Sequence, residues 1–201
     1  MKEVSLYIDG SCWGNPGPGG WAAILVYKGT EREFFGSDRQ TTSSRMELRA
    51  AIEGLRRLKE SCRVSVEGDS QYVVRAFNDG WLEGWQRRGW RKVDGDPVLN
   101  HDLWEELLAE VGKHEVRWAW VRGHAGNPYN ERCHTLAVRG CKAAIPGGWG
   151  RQRGTRRRSS EDWSPARDAA MRMHSEAARL PICPECGYSD ERHAPMCPRA
   201  S

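Results

Sequence analysis

Val4, Leu6 and Ile8 alternate with Ser5 and Tyr7, the period-two pattern of a strand with one buried face, and Asp9 stands where that strand runs out. A turn rich in glycine and proline follows, from Asn15 to Gly20, and then two further strand patterns, Trp21–Tyr27 and Glu31–Phe35, separated by Gly29-Thr30. Three such runs with short turns predict an antiparallel meander. The pattern then changes period. Leu48, Ala51, Ile52, Leu55 and Leu58 recur at helical spacing behind the capping hydroxyls Thr41 to Ser44. Val64 and Val66 alternate in a fourth strand that ends at Gly68-Asp69, and Ser70–Phe77 reads as a short helix.

Residues 78–97 carry no clean period. Asn100 is placed to cap a helix with the stripe Leu103, Trp104, Leu107, Leu108 and Val111, which Gly112 ends. Val116, Trp118 and Trp120 alternate in a fifth strand, predicting that Trp104, Trp118 and Trp120 belong to the core. Asn127-Pro128 then opens a helix to about Lys142. The order β-β-β-α-β-α-α-β-α predicts an α/β fold. Its mixed five-stranded sheet, three antiparallel strands and then parallel ones, is flanked by helices.

Beyond residue 145 the core pattern stops. The expected organisation is a folded domain over 1–145, a basic flexible linker over 146–163, a helix over 164–181 and a small tail over 182–201. Net charge is +4 for the whole chain. It divides into +1 through Pro146 (21 basic, 20 acidic) and +3 beyond (10 basic, 7 acidic), too mild to prove a nucleic-acid partner by itself. The longest apolar run, Trp21–Tyr27, excludes a membrane span, and no apolar segment follows Met1-Lys2-Glu3, so a cytoplasmic protein is expected. Seven cysteines without an export signal argue against a disulfide framework. Cys12, Cys62, Cys133 and Cys141 show no ligand spacing and read as buried thiols.

Candidate chemistry begins with carboxylates. Asp9 and Asp69 end two strands. If those strands are parallel neighbours, both emerge at the sheet edge where open α/β sheets place their sites. Glu47 lies in the first turns of the helix after the meander. Three convergent carboxylates need a cation between them, and an all-oxygen donor set selects Mg²⁺ or Mn²⁺. Two such ions can activate water and stabilise the leaving oxygen in phosphodiester hydrolysis. Taken singly, each residue is equally at home as a turn aspartate or a helix-dipole glutamate.

Ordered motifs narrow the choice. Tyr7-Ile-Asp-Gly-Ser-Cys-Trp-Gly-Asn-Pro-Gly-Pro-Gly-Gly20, Thr41-Thr-Ser-Ser-Arg-Met-Glu-Leu48, Asp69-Ser-Gln-Tyr-Val73, Trp81 to Trp90, Gly123-His-Ala-Gly126 and Asn130-Glu-Arg-Cys133 together resemble bacterial type 1 ribonuclease H, from about residue 2 to residue 143. That family hydrolyses the RNA strand of RNA/DNA hybrids with Mg²⁺, leaving 5′-phosphate and 3′-hydroxyl ends. The resemblance implies that Asp9, Glu47 and Asp69 bind two metal ions and that His124 moves protons or assists product release. The fourth position, acidic in the family, is His134 here. Neutral imidazole suits Mn²⁺ better than Mg²⁺. The expectation is therefore an active enzyme with a looser second metal and a shifted metal preference, the alternative being a hybrid-binding protein with weak or Mn²⁺-dependent hydrolysis.

The resemblance also assigns substrate contacts. Asn15 and Gln71 match readers of the 2′-hydroxyl that separates a hybrid from DNA. Ser43 and Ser44 stand where the family has two asparagines, and Thr42 matches a DNA-phosphate contact whose usual asparagine partner is Gly84. The family's basic protrusion corresponds to residues 81–92, where Trp81, Trp85 and Trp90 interleave with Arg87, Arg88, Arg91 and Lys92. Trp81 is expected to line the DNA channel, Trp85 and Trp90 to pack the protrusion.

The tail carries Cys183, Cys186, His193 and Cys197 in a C-x2-C-x6-H-x3-C spacing. Three thiolates and an imidazole suit a closed structural Zn²⁺ site, with a redox pair at Cys183 and Cys186 as the rival reading. A segment without a core would take its fold from the metal. With the arginines of the linker, the tail is expected to bind single-stranded nucleic acid or a protein. The whole is expected to act as a monomer.

Overall fold

The computed structural model describes residues 1–146. The linker from residue 147, the helix over 164–181 and the zinc tail with Cys183, Cys186, His193 and Cys197 lie outside the described residues. The elements are β1 (Lys2–Cys12), β2 (Gly17–Tyr27), β3 (Thr30–Thr41), α1 (Ser43–Arg56), β4 (Cys62–Gly68), α2 (Gln71–Asn78), α3 (Trp81–Arg87), α4 (His101–Val111), β5 (Glu115–Trp120) and α5 (Pro128–Ala144). The sheet runs β3-β2-β1-β4-β5. The first three strands are antiparallel, as the meander pattern predicted, and β4 and β5 extend the sheet in parallel with β1, which completes the expected mixed sheet.

This topology places the site. β1 and β3 point the same way, because each is antiparallel to β2. β4 and β5 share that direction. So the chain leaves β1, β3, β4 and β5 at one edge of the sheet, and α1, α2 and α5 all begin there.

The main core lies on one sheet face, where Leu6, Ile8, Val64 and Val66 meet Leu48, Ile52, Leu55, Leu103, Trp104 and Leu107. α5 covers the other face with Cys133 and Ala137 against Ala22 and Ile24. Here backbone meets backbone: a β-carbon on Gly20 would lie 2.1 Å from the Ala137 carbonyl oxygen, and one on Gly140 2.3 Å from that of Gly36. On the α1–α4 seam Arg45 meets Asp102 at 2.6 Å, Arg49 meets Glu106 at 3.0 Å and Arg56 meets Glu106 at 2.7 Å.

Several expectations are corrected. The meander strands are longer than their apolar patterns, because β1 and β2 continue pairing to Cys12 and Gly19 through small residues. The aperiodic 78–97 stretch contains α3, whose two turns bury Trp81, Leu82 and Trp85. Asn100 precedes α4 without a side-chain cap: its φ is +59°, and its Oδ1 accepts from Arg45 at 3.4 Å instead. Trp104 and Trp118 are buried, but Trp120 is 47% exposed, because β5 is an edge strand whose last residue outruns the helical cover. Cys12 is half-buried, while Cys62, Cys133 and Cys141 are buried as expected. No helix among the described residues is long and apolar enough to cross a membrane.

Candidate active site

Asp9 lies in β1 opposite Ala22 of β2, beyond the last β1–β4 pair, Tyr7 with Glu67. Asp69 follows directly on β4. Two bonds fix its backbone: the Val121 N–H donates to the Gly68 carbonyl at 3.1 Å, and the Trp120 indole N–H donates to the Asp69 carbonyl at 3.0 Å. Glu47 reaches the same point from α1, whose N-cap Thr42 accepts from the Arg45 N–H at 3.3 Å.

Two glycines let these parts converge. A β-carbon on Gly10 would stand 2.3 Å from the Glu47 backbone nitrogen, so the residue after Asp9 must be bare for α1 to lie against β1. A β-carbon on Gly123 would stand 2.5 Å from Asp69 Oδ2, so any larger residue in the loop after β5 would displace that carboxylate.

Asp9, Glu47 and Asp69 each offer a carboxylate oxygen, and these oxygens lie within 4.8 Å of one another. Asp9 and Glu47 are buried and Asp69 is half-buried. Burial, then the charges of Asp9 and Asp69, push the Glu47 carboxyl well above its ordinary range. Burial, then Asp9, also raise Asp69, against the pull of the neighbouring Asn130 amide. Glu47 Oε2 is buried with no hydrogen-bond partner. Crowded acids with an orphaned oxygen fit a divalent cation, and the oxygen donor set fits Mg²⁺ or Mn²⁺.

His134, on α5, sets its Nδ1 3.0 Å from Asp9 Oδ2. Its hydrogen bond to Asp9 raises the imidazole pKa, against desolvation. It therefore borders the carboxylate group through Asp9. His124 is exposed, at φ +53° in the loop after β5, and its ring meets that of His134 edge-on with centroids 4.8 Å apart.

Of the expected substrate contacts, Asn15, Ser43, Ser44 and Gln71 stand at the edge where β1, β3 and β4 end. Asn15 is exposed, and its Oδ1 accepts from the Ser43 N–H at 3.3 Å, tying the turn after β1 to α1. Ser43 and Ser44 form the first turn of α1, and Gln71 opens α2 behind the capping Ser70. Arg87 and Arg88 are exposed at the end of α3. Trp81 differs: it is buried, tilted against Trp85, with the Arg75 guanidinium 5.3 Å from its ring. Trp85 packs edge-on to Trp104.

Sequence reasoning missed Trp120, Gly10, Gly123 and Asn130. The first was hidden by an alternation that resembles core. Gly10 and Gly123 stand beside Asp9 and His124 inside the quoted motifs, and Asn130 opens the motif that precedes His134.

Over its folded part the chain is similar to known proteins. The family described as RNase H matches residues 1–142. A ribonuclease H of Thermoanaerobacter sp. (strain X514) is 54% identical over 138 residues, covering 69% of this chain and 89% of that one. One from Pseudomonas putida (strain W619) is 53% identical over 138 residues, covering 69% and 93%. Among solved structures, LC9-RNase H1, described as a type 1 RNase H with the type 2 active-site motif, superposes with a TM-score of 0.65. It is 32% identical and covers 92% of this chain and 88% of its own.

Proposed function

The chain belongs to the ribonuclease H family and is an endonuclease acting on RNA/DNA hybrids, and we propose that it cuts the RNA strand with Asp9, Glu47 and Asp69 as the ligands of two Mg²⁺ ions. The observation that carries this reading is the set of three carboxylate oxygens within 4.8 Å, one of Glu47's oxygens having no partner. The family uses divalent metal ions. Bound there, Mg²⁺, or Mn²⁺ as a substitute, would lower the pKa of an attacking water and offset charge on the leaving 3′-oxygen, giving 5′-phosphate and 3′-hydroxyl ends.

The chain's own residues do the rest. Asp9 and Glu47 are held by β1 and α1, so their donor geometry exists before substrate arrives. Asn15, Ser43, Ser44 and Gln71 present short polar groups to the 2′-hydroxyls, and Thr42 to a DNA phosphate. Arg87 and Arg88 meet phosphates from the protrusion, while Trp81, being buried, supports it from beneath. His124, exposed on its loop, moves a proton at the leaving oxygen. His134 holds Asp9 through Nδ1 and, when neutral, can serve as a nitrogen ligand for the second ion, which favours Mn²⁺. The weakly hydrolysing, hybrid-binding alternative is not favoured.

Cleavage of a labelled hybrid by the full chain, beside Asp69→Asn, tests the reading. Metal-dependent cutting of the RNA strand alone, abolished in the variant, is expected. Equal cutting by the variant, or cleavage without divalent metal, refutes it. His134→Asp should raise activity in Mg²⁺ relative to Mn²⁺, and an unchanged ratio would remove His134 from the metal site.

For the tail, the spacing of Cys183, Cys186, His193 and Cys197 supports a Zn²⁺ site that helps anchor nucleic acid or a protein. One zinc per chain, lost in Cys186→Ser, is the expected measurement.

A further inference from the structure

The protrusion is less basic than its arginines suggest. α3 ends at Arg87, and the chain turns through Gly89 and Trp90 into a small closed loop. Arg91 bridges Pro97, the Lys92 N–H donates to the Asp96 carbonyl at 2.8 Å, and the Gly95 N–H donates to the Lys92 carbonyl at 3.1 Å. Inside the loop Asp94 Oδ1 accepts from the Asp96 N–H at 3.0 Å. Lys92 Nζ lies 3.3 Å from Asp94 and 3.2 Å from Asp96, and the lysine side chain is only 14% exposed. The two carboxylates face outward, at 39% and 71% side-chain exposure.

The arithmetic changes accordingly. Arg87, Arg88, Arg91 and Lys92 supply four positive charges, and Asp94 and Asp96 remove two, leaving +2 over residues 87–96. Arg88 Nε donates to the Arg91 carbonyl and Arg91 to the Gly95 carbonyl, which orders both arginines without neutralising them. Arg87, Arg88 and Arg91 make no ion pair among the described residues. Lys92 is the cation withdrawn, drawn inward by two acids.

We propose that Asp94 and Asp96 set how tightly the enzyme grips its hybrid, by keeping Lys92 from phosphate and by placing negative charge on the face that approaches the duplex. This deepens the reading of the chain as a hybrid endonuclease and rests on it. Affinity for a nucleic-acid backbone grows with each phosphate neutralised. A protrusion with a built-in counter-charge holds substrate more loosely. These two aspartates are then determinants of affinity that touch no reacting atom.

Asp94→Asn with Asp96→Asn in the full chain tests this. Asparagine Oδ1 still accepts the backbone N–H that closes the loop, so the turn is kept. Hybrid binding is measured as a function of salt in the Asp69→Asn background, so that nothing is cut. The double variant should bind on the order of fivefold to tenfold tighter near 0.1 M salt. Its log–log salt slope should steepen by about one phosphate contact. With Asp69 intact, the change should appear in KM rather than kcat. Lys92→Gln should alter affinity less than twofold in the native loop but take away part of the gain in the double variant, the remainder being the effect of the lost carboxylate charge. An unchanged salt slope in the double variant overturns the proposal, as does a large loss of affinity from Lys92→Gln alone. Failure of every form to bind hybrid would instead sink the functional reading on which this one stands.

Discussion

Replacing Glu47 by Gln should abolish cleavage and yet make the metal-free protein more stable. Glutamine keeps the shape of glutamate, its carbonyl still accepts from the Gly10 N–H, and its amide can donate to Asp9. What disappears is one of three charges whose oxygens lie within 4.8 Å. At that separation two carboxylates repel by roughly 3.5 kcal/mol at an effective dielectric of about 20. Burial and the neighbouring charges raise the Glu47 carboxyl, and uptake of a proton would relieve the repulsion, which sets a ceiling on its cost. Glutamic acid ordinarily titrates near 4.5. Holding a proton costs about 1.4 kcal/mol for each pH unit above that value, so the cost at pH 7 is at most about 3 kcal/mol. The sign follows from linkage. A carboxyl raised in the folded state binds more proton there than in the unfolded chain, so native stability falls as pH rises above the unfolded value. The glutamine form escapes that fall. In EDTA at pH 7 its Tm should exceed the native Tm, by up to roughly 10 °C for a domain of this size. The gap should close near pH 4, and millimolar Mg²⁺ should raise the native Tm more than the variant's. A scanning fluorimetry series over pH decides it. An equal or lower Tm for the variant at pH 7 without metal would show that the carboxylates do not strain one another.

Gly10→Ala should cost about 1–3 kcal/mol and most of the activity, because its methyl would stand 2.3 Å from the Glu47 backbone and push α1 off β1; chemical denaturation and a cleavage assay read both. Trp120→Phe should lower kcat and raise the Mg²⁺ concentration needed for half-maximal rate, with little change in hybrid KM, since it removes the indole bond to the Asp69 carbonyl. His114 Nδ1 accepts from the Cys62 N–H, which needs a neutral ring, and burial lowers its pKa. The unfolded chain therefore binds that proton first, and native stability should drop by about 1 kcal/mol as pH falls below 6.5 in saturating Mg²⁺. His114→Gln should flatten that part of the Tm profile.

What the sequence made legible were features with local, periodic causes. The strand alternation at Val4, Leu6 and Ile8 and the helix stripe from Leu48 to Leu58 gave the meander and α1. The placement of Asp9 and Asp69 at strand ends followed once β1 and β4 were parallel. Trp120 shows where periodicity fails. It continues the Val116–Trp118 alternation faithfully, yet strand period says only which face a side chain takes, not whether a helix covers that face at the sheet's rim. Asn100 failed for a related reason. Capping chemistry is decided by backbone conformation, and a left-handed residue pinned by Arg45 cannot reach the first N–H groups of its helix. The Lys92 pairing was invisible because one lysine meets partners both two and four residues on by way of a closed loop, and no period announced that loop.

The fourth position links the stability and the chemistry of the site. With an aspartate at 134, a fourth negative charge would face Asp9, at a cost of the same size as that worked out for Glu47. Histidine removes that charge and, when protonated, adds a positive one 3.0 Å from Asp9 Oδ2. The metal-free fold gains by this exchange, because one of its buried acids acquires a partner. Cation binding loses by it, because Asp9 must give up that partner, or the imidazole its proton, before the site offers its full negative charge. Those two effects have one origin, so they cannot be tuned separately. A chain with His134 should therefore hold its fold more firmly without metal and need more metal to cut.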